Sequence, residues 1–288
     1  MQISAKRALF FAIFLIVVVA TAPSWQWPVD DPRVKTTFGQ SADGVFFPGV
    51  RVTGADTSVR PVETGEVVFA NTGGPRATSL PSSIGKYAVV EHEDSFRSVY
   101  ANLDESDSTP VGRVTPATFL GRYVSDDAYD GVILIIEDGR RRNRVNPFIV
   151  LPRLPGGIAP VIRDVLAHAN GTEYAVVNRA TIPSGEREFS VVTFEPVSGA
   201  PDGRVAPYRL RTSIGERTRE IVFDTLVVRD GELLLAGESS HADLYREERT
   251  VLGSFDVGTG NVSVEIMVAG FSGVSRSARI VVVGTATE

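Results

Sequence analysis

Histidine is the scarcest chemistry-bearing residue in this chain: there are three, His92, His168 and His241, and no cysteine at all. The lack of cysteine removes disulfides, thiol catalysis and thiolate metal sites, and leaves the redox compartment open. A catalytic zinc needs three nitrogen or oxygen ligands and one open position, and before residue 150 only His92 offers an imidazole. Glu91, Glu93 and Asp94 stand beside it. They could make a carboxylate-rich metal site, but an acidic turn next to a strand-end histidine is more often solvated surface. Arg140, Arg141, Arg142 and Arg144 put four cations within five residues, enough to attract phosphate-rich polymers or anionic lipid headgroups. The Asp138-Gly139 pair just before them marks a tight turn, so a solvated hairpin tip is the competing reading. No nucleophile elbow, P-loop or recognisable carboxylate pair occurs anywhere in the chain.

The elements that must position these residues read as strands. Glu66–Ala70, Tyr87–Glu91, Arg97–Ala101 and Val132–Glu137 are apolar, β-branched stretches separated by Gly, Pro, Ser and Asp clusters. Val132–Ile136 is apolar throughout, which predicts a strand buried on both faces. No segment before residue 150 holds a helical period. Leu151–Gly157, reading L-P-R-L-P-G-G, is the predicted domain junction. In Ile158–Leu166 the apolar spacing fits a helix, but Pro160 and the β-branched content favour a strand. Tyr174–Val177, Phe189–Phe194, Tyr208–Thr212, Ile221–Val228 and Leu233–Leu235 continue the short-strand rhythm. Val262, Val264, Ile266 and Val268 alternate, Gly270–Gly273 turns, and Ala278–Val283 returns. The rhythm predicts an all-β chain whose second half is a β-sandwich.

Composition agrees with a folded chain: 43% hydrophobic and 22% charged residues over 288 positions give enough apolar content for two small domains. The net charge of −6 gives no electrostatic reason for nucleic-acid binding. Lys6 and Arg7 precede an unbroken apolar run, Ala8–Ala20, followed by small residues. This is the pattern of a secretory signal, and the run is short against the ~20 residues of a membrane span. Pro23 directly after Ala22 is a poor cleavage context. Residues 1–23 are therefore expected to act as a signal peptide or an uncleaved N-terminal anchor. The expected location is the periplasm or cell envelope, with the inner membrane as the place of any anchor.

Five ordered pieces carry a family resemblance. They are W-P-V-D-D-P-R-V-K-T-T-F-G-Q at Trp27–Gln40, G-V-F-F-P-G-V-R-V at Gly44–Val52, V-R-P-V-E-T-G-E-V-V-F-A at Val59–Ala70, the stretch Gly85–Leu103 ending in Y-A-N-L, and Leu134–Pro147 ending in V-N-P. In this order and spacing, residues 24–152 resemble the LytM/M23 metallopeptidases (lysostaphin-like, duplicated hybrid motif). Residues 158–288 more loosely resemble the Ig-like β-sandwich attached to some exported members, through A-P-Y-R-L-R at Ala206–Arg211, Phe223–Leu226 and the final hairpin. The fold implied is an M23/LytM-like antiparallel β-sheet domain followed by a β-sandwich accessory domain, a packing or docking module.

The resemblance implies a zinc held by a His and an Asp of H-x-G-x-D and by the second His of H-x-H. The first His of that pair and the His of Y-A-H-L assist the metal-bound water. Here Phe47 stands at the first His, Arg51 at the Asp, and Asn102 at the His of Y-A-H-L. With V-N-P setting the register, Ile133 and Ile135 replace the H-x-H pair. His92 matches a family position that is not a ligand, and a strand-end histidine capped by its neighbours is the competing reading. The expectation is therefore no zinc and no cofactor, although the family carries zinc: Phe and Ile have no lone pair, and Arg is a permanent cation. What remains is a groove in which Arg51, Asn102, Tyr100 and His92 are expected to bind, unless the isoleucines have simply filled it. The function implied is an exported pseudoenzyme that binds peptidoglycan peptides or regulates a wall hydrolase or amidase. An active zinc endopeptidase acting on peptidoglycan and a structural or adhesive surface β-protein are the alternatives.

Overall fold

Period-two alternation sets almost every element. Lys86–His92 alternates strictly between buried and half-buried residues, and Gly260–Ala269 keeps the same rhythm over most of its length. The computed structural model describes residues 25–71, 84–126, 130–197 and 203–286, so the residues expected to form a signal or anchor lie outside it. Among the described residues the chain is nearly all antiparallel β-structure. Helix is confined to the single turns Pro147–Val150 and His241–Leu244 and a 3-10 turn at Glu93–Ser95. No helix among these residues is long and apolar enough to cross a membrane.

The largest sheet runs, in spatial order, through Glu232–Leu235, Thr225–Arg229, Asn143–Val145, Val132–Asp138, Phe96–Leu103, Lys86–His92, Gly65–Ala70 and Gly112–Val114. Val50–Thr53 joins beside Asn143–Val145 on the same edge of the central strand, pairing with Val132–Leu134, and carries Arg33–Thr36 outside it. The central strand is buried on both faces, as its unbroken apolar run predicts: Val132, Leu134 and Ile136 feed an inner core, while Ile133 and Ile135 feed a smaller outer cluster. The inner core also takes Val50, Val52, Val90 and Tyr100.

Two further sheets form a sandwich. One contains Val161–Ala169, Gly185–Pro196 and Arg249–Val257; the other contains Arg209–Ile214, Gly260–Ala269 and Ser275–Thr285. Phe189, Leu210, Val264 and Ile266 fill the space between them. The stretch with mixed helical and strand signals is extended from Val161, immediately after Pro160. Ile221–Val228, expected as one strand, is two. Arg217–Val222 stays in the sandwich, whereas Thr225–Arg229 leaves it and pairs with Asn143–Val145 in the large sheet. At the crossing Phe223 is buried and Asp224 accepts a hydrogen bond from the Tyr208 hydroxyl. Asn146 fixes the exit by donating its backbone N–H to the Asp224 carbonyl at 2.8 Å and its side-chain amide to the Phe223 carbonyl at 2.6 Å. A continuous β-branched run looks the same whether or not its strand changes sheets, so the switch left no mark in the pattern.

Contacts cross the Leu151–Gly157 junction elsewhere too. Phe38 and Phe46 belong to the sandwich core. The Tyr245 hydroxyl donates to the Gly39 carbonyl at 3.0 Å, and the His241 Nε2 lies 2.8 Å from the Ser41 hydroxyl.

Candidate functional site

Four of the five positions named by the zinc motif meet on the outer face of the large sheet. Val132–Asp138 pairs with Phe96–Leu103 on one side and Val50–Thr53 on the other, which sets Ile133 opposite both Ala101 and Arg51, and Ile135 opposite Val99. Phe47 closes over them, and Phe47, Val99, Ala101, Ile133 and Ile135 form one buried apolar cluster. Phe47 can approach because Gly49 lies flat on the central strand: a Cβ there would sit 2.2 Å from the Leu134 carbonyl oxygen. The Arg51 guanidinium stands 5.8 Å from the centre of the Phe47 ring, where the ring's quadrupole attracts a cation.

These residues do not fit a zinc ion. The side chains of the cluster offer no lone pair, and the Arg51 guanidinium beside Phe47 is a cation that would repel the metal. Among the described residues no group of three or more His, Asp or Glu side chains is placed to hold a metal.

Asn102, expected at the groove, is a structural clamp. It occupies the left-handed region at φ 64°, in a bulge where the pairing slips between Lys86–Leu103 and Tyr87–Ala101. Its side-chain amide donates to the carbonyls of Gly131 at 2.8 Å and Val124 at 3.2 Å. Its backbone N–H donates to the Ile84 carbonyl and its carbonyl accepts from the Val124 N–H, both at 2.9 Å. Asparagine is among the few residues that accept this backbone at little cost.

Tyr100 and His92, expected beside Arg51, point the other way. The alternation that sends Val99 and Ala101 outward sends Ser98 and Tyr100 into the inner core. There the Tyr100 hydroxyl accepts from the Val62 N–H at 2.7 Å and shares a 2.8 Å hydrogen bond with Ser98 Oγ. Ser98 Oγ in turn lies 2.6 Å from His92 Nε2, and His92 Nδ1 faces the Thr64 carbonyl at 3.0 Å. In the neutral ring Nδ1 therefore carries the proton. Burial lowers the His92 pKa against the opposing pull of the Thr64 carbonyl, and raises that of Tyr100. Both are buried, hydrogen-bonded groups on the inner side of the sheet, away from Arg51.

Arg140, Arg141 and Arg142 form the exposed tip between Val132–Asp138 and Asn143–Val145, Arg144 lies half-buried within the second of these strands, and acids are interleaved. Arg140 lies 3.7 Å from Asp94, Arg141 4.0 Å from Asp138, and Arg144 3.9 Å from Glu137. The remaining histidine, His168, sets Nε2 2.8 Å from Ser190 Oγ and Nδ1 3.7 Å from Glu173, the order of a hydrolytic triad. Ser190 is only 1% exposed and its hydroxyl accepts from Arg249 Nε at 2.9 Å, so no substrate reaches it.

The outer face extends past the closed floor in a way that the motif comparison missed. Tyr87 and Val89 continue the cluster, and Phe69, 49% exposed, stacks on Tyr87 with ring centroids 5.3 Å apart. The signal for it lay in the alternation of Tyr87 and Val89 along their strand. The site is thus a buried apolar floor with a half-exposed aromatic shelf beside it.

Comparison with other proteins adds three findings. A family model matches residues 159–283, the stretch that forms the sandwich and the crossing strand. A solved chain from the "SpoIIQ-SpoIIIAH pore forming complex" aligns at 20% identity, covering 45% of this chain and 91% of that one; its TM-score of 0.35 is too low to establish a common fold. An "uncharacterized protein" of Treponema pallidum (strain Nichols) is 31% identical over 109 residues, which span 35% of this chain and 74% of that protein. This chain belongs to the family of that Treponema pallidum protein.

Proposed function

We propose that this chain is a catalytically inactive, M23/LytM-like protein of the cell envelope. In this reading it holds a partner, a peptidoglycan peptide or a wall hydrolase, on the outer face of its large sheet. The observation that supports it is the apolar plug: Phe47, Ile133 and Ile135 touch one another at the positions that the resemblance assigns to metal chemistry. A face rebuilt in this way has lost water activation and keeps features suited to binding. The shelf of Phe69 and Tyr87 offers apolar area to an extended segment, and the planar fork of Arg51 at its margin matches a carboxylate. Export rests on the charge and apolar pattern of residues 1–23.

Two measurements test the reading. Zinc titrated calorimetrically into metal-stripped protein, residues 24–288, is expected to give no heat of tight binding; one tight equivalent would restore the peptidase alternative. Co-sedimentation with purified peptidoglycan sacculi, and recovery of wall hydrolases from an envelope extract, are expected to fall in a Phe69→Asp, Arg51→Glu variant. Unchanged recovery of both would leave the structural or adhesive alternative standing.

A further inference from the structure

A second concavity lies on the side of the molecule where the sandwich meets the Leu151–Gly157 junction. It holds about 500 Å³, within the ~300–1,000 Å³ typical of ligand pockets. Its lining combines the apolar Phe148, Leu154, Ile158 and Phe271 with the charged Asp31 and Arg33. Phe148 and Phe271 stack across the junction at 4.2 Å between ring centroids. Their neighbours are tied down: Trp27 packs on Phe148 at 5.5 Å and donates its indole N–H to the Pro152 carbonyl at 3.0 Å. Close backbone approach sets the shape. A Cβ on Gly157 would lie 2.0 Å from the Ser272 side chain, and one on Gly270 would lie 2.3 Å from Glu195 Oε2.

One acidic group in this lining stands out. Glu195, in the strand Gly185–Pro196, lines the cleft and is 4% exposed. Its carboxylate accepts the Phe271 N–H at 2.8 Å and the Ser272 hydroxyl at 3.1 Å. The Ser272 backbone N–H bears on it as well, so of the about four acceptor positions of a carboxylate one is left unused. Burial raises its pKa against the pull of the Phe271 and Ser272 bonds, and no basic side chain among the described residues contributes a compensating charge. Buried carboxylates are ordinarily paired with a cation. Among the described residues no cation pairs with Glu195: Arg33, which also lines the cleft, is paired instead with the exposed Asp31 at 3.4 Å.

We infer that this cleft receives one basic side chain, lysine or arginine, carried on an apolar stretch of a partner polypeptide. The alkyl stem lies along Phe148, Leu154 and Phe271, in the way that long basic side chains cover apolar surface. The charged head donates to the unused acceptor position of Glu195. The flanking apolar residues of the partner rest on Ile158 at the mouth. This site uses no residue of the outer face, so either site can fail without the other.

The test uses amide-resolved NMR on the full-length protein with the probe acetyl-Leu-Lys-Leu-amide. Saturable shifts are expected at the amides of Phe271 and Ser272, which report directly on the Glu195 carboxylate. Replacing the probe's lysine by norleucine is expected to weaken binding about tenfold or more, the scale of one hydrogen bond to a charged group. Glu195→Gln should remove the difference between the two probes. If that variant does not fold, Ile158→Trp, at a position 56% exposed, narrows the mouth without touching the core and should abolish the shifts. Equal binding of both probes to the native protein, or no saturable shift at these amides, overturns the inference.

Discussion

The clamp at Asn102 can be separated from a binding role by stability measurements on two variants. Asn102→Ala removes two amide hydrogen bonds, to Val124 and Gly131, each with a net worth of about 1 kcal/mol. It also leaves an alanine at φ 64°, which costs roughly 1 kcal/mol more. The expected loss is about 3 kcal/mol, or roughly 6–12 °C in melting temperature for a chain of this size. Asn102→Gly relieves the backbone but not the amide, so it should recover about 1 kcal/mol of that loss. The assays are urea unfolding for the free energy and hydrogen exchange at Gly131 and Val124 for the place of the damage. A stable Asn102→Ala protein with native exchange at both amides and weakened partner binding would refute the clamp and return Asn102 to the groove.

Tyr100→Phe should destabilise by about 1–3 kcal/mol, because the buried Val62 N–H loses its acceptor; urea unfolding checks it. Gly49→Ala should cost about 1–3 kcal/mol or more, since its Cβ meets the Leu134 carbonyl oxygen rather than a yielding side chain, and loss of protection along Val132–Leu134 would locate the effect. The pKa of His92 is lowered in the folded chain, so between that value and the ordinary 6.5 the unfolded chain binds more protons. Stability should therefore fall as pH drops below about 6.5, and His92→Gln should flatten that part of the melting-temperature profile.

The run Val132–Ile136 announced its own environment, because five consecutive apolar residues leave no face for water. From it followed the pairing of Ile133 and Ile135 on one side of the sheet, and motif order then placed Phe47 and Arg51 near them. The errors arose where proximity in sequence was taken for proximity in space. Tyr100 and Asn102 sit in the same four-letter motif, yet one is core and the other is a bulge, and only the strand register separates them. His92 was legible as a capped strand-end histidine, but not its partners, because Thr64 and Ser98 come from different strands or strand ends. Glu195 gave no signal at all: a single glutamate in a β-rich stretch reads as surface until the turn at Phe271 is brought over it.

The strand Thr225–Arg229, lent by the sandwich to the large sheet, makes the order of synthesis matter. When Asn143–Val145 first leaves the ribosome its outer edge has no neighbour, and its partner strand follows about eighty residues later. At ~5–20 residues per second that wait lasts roughly 4–16 s. Throughout it the first half presents an open sheet edge, together with Phe38 and Phe46, whose native burial lies in a sandwich not yet made. A fragment ending near residue 152 would keep both liabilities permanently, so cutting the chain at its Pro/Gly junction should yield an aggregating piece rather than a minimal domain.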